Sequence, residues 1–162
     1  LFPYTTLFRF VIALVGALLL AGCSTQGSSP ERLPDLTLPG LRADEPDIRL
    51  SELKGPALIN VWASYCTPCK TELPIVAEYA KKHPEIKVLG IDYTDPDVAK
   101  ARELADQSSA TFAMVRDSDG QLPVKFLPQF VILKADGTVA WRGYVAVTSL
   151  SQLEALVKEH LS

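Results

Sequence analysis

The sequence predicts an α/β domain with a central mixed β-sheet flanked by helices. Two apolar runs with strand character, 57–63 and 86–92, are each followed by a helical pattern, 67–82 and 94–107. A run that is apolar almost throughout is typical of a strand buried on both faces of a sheet. Further strands and a last helix follow these two repeats. The predicted order is therefore βαβαβ and then ββα, which fits a thioredoxin-like fold.

Local signals fix the helix starts in the first half of the domain. Pro68 lacks a backbone N–H and suits a first helical turn, so we expect a helix to begin at Thr67. Thr94 or Asp95 is expected to cap the next helix, with Pro96 in its first turn.

Turn and cap signals organise the last third of the chain. A short strand is predicted over 111–115. Strands over 129–134 and 138–143 are joined through an Ala-Asp-Gly turn, which is a hairpin signal. Ser151 and Glu154 have the spacing of a capping box, so the last helix is expected to open there.

Length and composition limit the function classes. The chain has 162 residues, 48% of them apolar, and a net charge of −3. This suits one domain plus a leader, and we expect a monomer. The sequence has no basic block, so it gives no reason to expect a nucleic-acid partner.

The first 22 residues differ from the rest. They contain one base, no acid and a continuous apolar run over 10–21. A membrane span needs roughly 18 or more apolar residues, so we interpret 1–22 as a signal peptide. It ends in Leu-Ala-Gly before Cys23, which resembles the bacterial lipobox, whose cysteine is lipidated; the alternative is an ordinary signal peptide. Residues 23–32 then form a lipid-anchored tether, and 33–162 form the domain.

The two remaining cysteines suggest redox chemistry. Cys66 and Cys69 are separated by two residues where a strand passes into a helix. Unpaired N–H groups at a helix N-terminus favour an anion, and the thiolate is the reactive form of cysteine. A second thiol can resolve the mixed disulfide that the first one forms. The alternative, a structural disulfide, would close a loop too short to add much stability.

The surrounding motifs resemble the TlpA/ResA-like group of extracytoplasmic thiol–disulfide oxidoreductases, which have a thioredoxin fold. The similarity covers the first strand (33–39), the active-site segment (61–69), the active-site helix (69–74) and a cis-proline loop (127–133). It implies a dithiol enzyme whose redox group is the Cys66–Cys69 disulfide, with no other cofactor and no metal site. Members are often tied to cytochrome c maturation.

The resemblance also implies roles for three catalytic residues. Cys66 is the nucleophile, and Cys69 is the resolving thiol and the more buried of the two. Glu72 lies one helical turn after Cys69 and would take its proton, with burial raising the pKa of the carboxyl toward the working pH. From spacing alone, a solvated helix glutamate is the alternative.

Further residues are candidates for substrate contact. The resemblance implies that Pro128 is cis and that the backbone of Leu127 pairs with a client strand. Four residues at or near the cysteine motif complete the set: Trp62, Tyr65, Thr67 and Pro68. For Trp62, packing in the core is an equal alternative.

Together these features predict a reductase of client protein disulfides in the bacterial cell envelope, held outside the cytoplasm by lipid on Cys23. Apocytochrome c is one candidate client, and a thiol donor in the membrane would return the electrons. Three alternatives stay open on this fold. They are an oxidase that makes disulfides, a thiol-based metal chaperone and a peroxidase.

Overall fold

The fold was analysed in a computed structural model, which describes residues 29–161. The predicted signal peptide, Cys23 and most of the predicted tether lie outside the described residues. The main sheet has five strands: β3 (Ala57–Trp62), β4 (Lys87–Tyr93), β5 (Ala113–Asp117), β6 (Gln129–Leu133) and β7 (Val139–Gly143). A small hairpin precedes it, formed by β1 (Thr37–Leu38) and β2 (Ile48–Arg49). The helices are α1 (Thr67–Lys82), α2 (Val98–Gln107) and α3 (Leu150–Leu161), and a 3-10 turn covers Leu50–Glu52.

The sheet is mixed, as predicted. Its strand order is β5-β4-β3-β6-β7, with β3, β4 and β5 parallel to one another and β6 antiparallel to both β3 and β7. All six residues of β3 are buried, which confirms its predicted central position. The β6–β7 turn passes through Gly137 at φ +83°, a conformation that glycine adopts without steric cost.

The two faces of β3 pack on different partners, because successive side chains of a strand alternate between faces. Trp62 packs with residues of α1 and α2, and Leu58 packs with residues of α1 and α3. Ile59 and Val61 point the other way, into a cluster that contains Leu38 of the small hairpin. Helices therefore cover one face of the central strand, and the hairpin contributes to the cover of the other.

The predicted cap of α2 is wrong. The helix begins after Asp97, whose Oδ1 accepts hydrogen bonds from two backbone N–H groups of the first turn. Thr94 has a left-handed backbone, with φ +49°, and cannot lead directly into the helix. The carboxylate of Asp95 turns inward instead and accepts from Ser64 N at 2.5 Å. A tertiary contact thus removes Asp95 from the capping position.

The start of α3 is also shifted. Gln152 N donates to Ser149 Oγ at 3.3 Å, and Gln152 Oε1 accepts from Thr148 N at 2.9 Å. These reciprocal bonds form the cap two residues before the predicted one at Ser151.

The folded part begins earlier than predicted. Val139 N donates to Glu31 O at 2.8 Å, and Arg142 Nη2 contacts Glu31 Oε1 at 2.9 Å. Arg32 forms a bridge with Thr138. Glu31 and Arg32 therefore pair with the edge of the sheet and do not belong to a free tether.

Candidate active site

The two cysteines form a disulfide at the N-terminus of α1. Cys66 is the N-cap of the helix, and its Sγ accepts from Cys69 N at 3.3 Å. Cys66 is 8% exposed and Cys69 is 1% exposed, in the predicted order. The first turn starts at Thr67 because Pro68, which needs no N–H partner, occupies its second position. A client can therefore approach Cys66 but not Cys69.

Glu72 lies on the buried side of the same helix, one turn beyond Cys69. Its Oε1 accepts from Asn60 Nδ2 at 2.8 Å, and its Oε2 accepts from Val147 N at 3.0 Å. Burial raises the pKa of Glu72 to about 7, although both hydrogen bonds oppose that shift. The carboxyl is therefore poised to exchange a proton near neutral pH, and it is not the solvated glutamate of the alternative reading.

The cis-proline loop packs beside the disulfide. The Leu127–Pro128 peptide is cis, as predicted. Pro128 is buried, and the half-buried Leu127 packs against the cluster that contains both cysteines and lines a groove with Cys66. This puts the loop before β6 beside the helix terminus that carries Cys66.

An open groove of about 360 Å³ lies beside Cys66. Eight residues line it: Tyr65, Cys66, Pro68, Tyr93, Val124, Lys125, Phe126 and Leu127. The groove thus contains three of the predicted substrate-contacting residues, Tyr65, Pro68 and Leu127, and the side chains of Tyr93, Val124, Lys125 and Phe126 complete its lining with Cys66.

The predicted residues around the cysteines divide into surface and core. Tyr65, Thr67 and Pro68 are exposed. Trp62 is fully buried in the cluster that contains both cysteines, so the prediction that it contacts substrate is corrected. It is buried because β3 is the central strand and the helices α1 and α2 cover the face on which Trp62 lies.

Sequence reasoning missed a buried charged cluster next to the cysteine loop. Asp92 is fully buried, and neither of its oxygens has a hydrogen-bond partner. Arg116 Nε lies 3.5 Å from Asp92 Oδ2, while Arg116 Nη2 donates to Asp95 O at 2.9 Å. Burial, and then the charge of Asp95, raise the pKa of Asp92 to about 7 in spite of Arg116. In the sequence, the one sign of this cluster was the acid Asp92 within a largely apolar strand.

No group of three or more histidine, cysteine or acidic residues suited to a metal ion occurs in the part of the chain that the structure describes.

Chemically, the site offers a cysteine pair that can exchange between dithiol and disulfide, and a buried carboxyl whose pKa is about 7. The protein is a thiol–disulfide oxidoreductase. Residues 30–142 match the model of the AhpC/TSA family, and the chain belongs to that family.

Similar proteins agree with this class. The thiol:disulfide interchange protein DsbE of Pseudomonas fluorescens biotype C is 30% identical over 142 residues, covering 78% of this chain and 76% of that protein. The thiol-disulfide oxidoreductase ResA of Oceanobacillus iheyensis is 29% identical over 117 residues, covering 65% of this chain and 59% of that protein. These relatives bear out the resemblance to the TlpA/ResA-like group.

A solved structure bears out the thioredoxin-like fold. A secreted Mycobacterium tuberculosis disulfide oxidoreductase, homologous to E. coli DsbE, superposes with a TM-score of 0.68 at 24% identity. The match covers 77% of this chain and 96% of that structure.

Proposed function

We propose that the protein is an exported, membrane-tethered reductase of disulfides in client proteins. The observation that carries this proposal is the buried Glu72, with a pKa of about 7, one turn from the resolving Cys69. A structural disulfide has no need of a proton acceptor at this position, whereas a dithiol that cycles between oxidised and reduced forms does.

The reaction follows in two exchanges. The Cys66 thiolate attacks one sulfur of the client disulfide, forming a mixed disulfide and releasing one client thiolate. Cys69 then gives its proton to Glu72 and attacks the Cys66 sulfur, which releases the second client thiolate. The client gains two electrons, and Cys66 and Cys69 become a disulfide. The cysteine pair carries both electrons, and no bound cofactor takes part.

Two kinds of partner complete the cycle, a client protein and an electron donor. The client would pair in an extended conformation with the backbone of Leu127, and the packing of this residue against the cysteine cluster supports that role. Because an oxidised dithiol needs a donor, a thiol donor in the membrane would return the electrons. The resemblance to the TlpA/ResA-like group makes apocytochrome c the first client to examine.

The predicted leader supports the location. We assign 1–22 to a signal peptide, Cys23 to a lipid anchor and the following residues to a tether, which together place the domain in the bacterial cell envelope outside the cytoplasm. Among residues 29–161, the helices are all too short or too polar to cross a bilayer. Mass spectrometry of the mature N-terminus should find lipid on Cys23, and a soluble protein with an unmodified N-terminus would contradict the anchor.

Client capture tests the function. A Cys69→Ala variant expressed in its host cannot resolve the mixed disulfide, so it should hold clients covalently through Cys66. The adducts should disappear on treatment with dithiothreitol and should be missing when Cys66→Ser is added. An absence of adducts in the single variant would overturn the assignment.

Reduction potential separates the reductase from the oxidase. We expect a value closer to that of thioredoxin, about −270 mV, than to that of the strong oxidant DsbA, about −120 mV. A value near the latter would reverse the direction of the proposed reaction.

A further inference from the structure

Large exposed apolar side chains lie beside Cys66. Among the described residues, four large apolar side chains are exposed: Tyr65 at 55%, Phe126 at 69%, Tyr144 at 43% and Val145 at 37%. Tyr65 and Phe126 line the groove that contains Cys66. The Phe126 and Tyr144 rings meet edge to face, with centroids 5.7 Å apart, and Val145 follows Tyr144 directly. We call Tyr65, Phe126 and Tyr144 the aromatic shelf.

Internal hydrogen bonds hold the shelf in place. Tyr144 Oη accepts from Lys125 N at 3.3 Å, which fixes the ring against the loop before the cis-proline. Tyr65 Oη and Thr94 Oγ1 lie 3.2 Å apart. The hydroxyl groups thus have partners within the protein, and the ring faces are left for an apolar ligand. Because the rings are already oriented, a ligand that binds them loses little extra side-chain entropy at this surface.

One positive charge borders the groove. Lys125 is its single charged lining residue and is exposed, in a chain whose net charge is −3. An acidic group on a ligand would meet a cation there, and a basic group would meet a like charge.

We propose that the aromatic shelf and Lys125 select client segments that carry a large apolar residue beside the reacting cysteine and an acidic residue close by. The inference rests on the proposed function, since it concerns the client of that same site. Tyr65 and Phe126 line the same groove as Cys66, so a client whose sulfur reaches Cys66 brings its neighbouring residues next to these two rings. Contiguous exposed apolar surface of this kind marks interaction sites on soluble proteins.

Short synthetic peptides test the selection. Each peptide carries one cysteine as a mixed disulfide with thionitrobenzoate. The Cys66 thiolate attacks the peptide sulfur and expels the coloured thionitrobenzoate anion. Cys69 then attacks Cys66 and releases the peptide thiolate, so that the protein dithiol is oxidised and one peptide disulfide is reduced. Four peptides combine Phe or Ala beside the cysteine with Glu or Lys two residues further on.

With the protein reduced beforehand, we expect the second-order rate constant for thionitrobenzoate release to be about tenfold higher for Phe than for Ala beside the cysteine, as the burial of an aromatic side chain implies. Glu should be preferred over Lys by a few-fold, and the preference should weaken with added salt. The double variant Phe126→Ala and Tyr144→Ala should bring the Phe-to-Ala ratio close to one. Tyr144→Phe, which keeps the ring, should preserve it.

A lysine replacement tests the charge. Lys125→Ala should abolish the preference for Glu over Lys. The matched control is Lys134→Ala, since Lys134 is an exposed lysine directly after β6, at the end of that strand away from Pro128; it should leave all four rates unchanged. Equal rates for all four peptides with the wild type would overturn the shelf but not the reductase. A wild type that reduces none of them would contradict the proposed function itself.

Discussion

Replacing Glu72 with glutamine should change the pH dependence of stability. In the folded protein, burial raises the pKa of Glu72 from an ordinary 4.5 to about 7, so the folded state binds this proton more tightly than the unfolded chain does. Stability therefore falls as the pH rises from about 4.5 to 7, because the unfolded chain has already released the proton while the folded protein keeps it. Glutamine cannot titrate, so the variant should not show this fall.

The structure gives the size of the effect. One pKa unit corresponds to about 1.4 kcal/mol, so the wild type loses about 3 kcal/mol of unfolding free energy across this range because of this one group. Glutamine has a single acceptor oxygen, whereas Asn60 and Val147 both donate to Glu72. The variant should therefore carry an additional cost of about 1–3 kcal/mol that does not depend on pH.

Urea unfolding of the oxidised protein at several pH values from about 5 to 9 measures both parts. The variant should be less stable than the wild type at the acidic end, and the deficit should shrink by about 3 kcal/mol toward the alkaline end. Glu78→Gln, an exposed glutamate of the same helix, is the control and should give a curve parallel to that of the wild type. A deficit in Glu72→Gln that is constant across the range would refute the raised pKa.

The same variant tests the chemistry. If Glu72 accepts the Cys69 proton, Glu72→Gln should slow resolution of the mixed disulfide by about 10²-fold and leave the first attack by Cys66 nearly unchanged. Stopped-flow measurement of both steps separates them. Unchanged resolution near neutral pH would remove Glu72 from the mechanism.

Three further predictions follow from the same physical arguments. Asp92→Asn should become more stable relative to the wild type as the pH rises from about 4 to 8, because burial raises the pKa of Asp92 to about 7 in spite of Arg116. Denaturant unfolding at both ends of this pH range measures the difference. An unchanged difference would mean that Asp92 is already ionised in the folded protein at pH 4. In the reduced protein, alkylation of Cys66 should reach half its maximal rate below about pH 8.5, the value for a free cysteine, because the helix N-terminus stabilises its thiolate; a midpoint at or above that value would contradict this. His83→Gln should cost stability below about pH 6.5 and little at alkaline pH, since the hydrogen bond to Glu154 raises the pKa of His83, and thermal unfolding at pH 5 and 9 compares the two conditions.

The sequence predicted the parts of the fold that local signals determine. Helix α1 begins at Thr67 because Pro68 favours the first turn of a helix. Strand β3 is central because its residues are largely apolar on both faces. Tertiary contacts decided the rest. Asp95 and Asp97 are equally good N-caps by residue type. Because Ser64 N donates a hydrogen bond to the carboxylate of Asp95, Asp97 is the residue that caps α2.

Two kinds of feature lay beyond sequence reasoning. The β1–β2 hairpin has two residues in each strand, which is too short to show a periodic pattern. The pairing of Asp92 with Arg116 depends on the register of two strands, which the residue pattern does not give. At the site, residue spacing pointed to the cysteines and motif resemblance to Glu72 and the proline loop, whereas the full burial of Trp62 depended on the packing of α1 and α2 against the end of β3.

The central claim is that Cys66 is the nucleophile of a dithiol reductase. Reduction of insulin by the protein, driven by dithiothreitol and followed by turbidity, tests it most directly. The wild type should accelerate the reaction well above the rate of dithiothreitol alone, and Cys66→Ser should return the rate to that background. Equal acceleration by the wild type and Cys66→Ser would contradict the account.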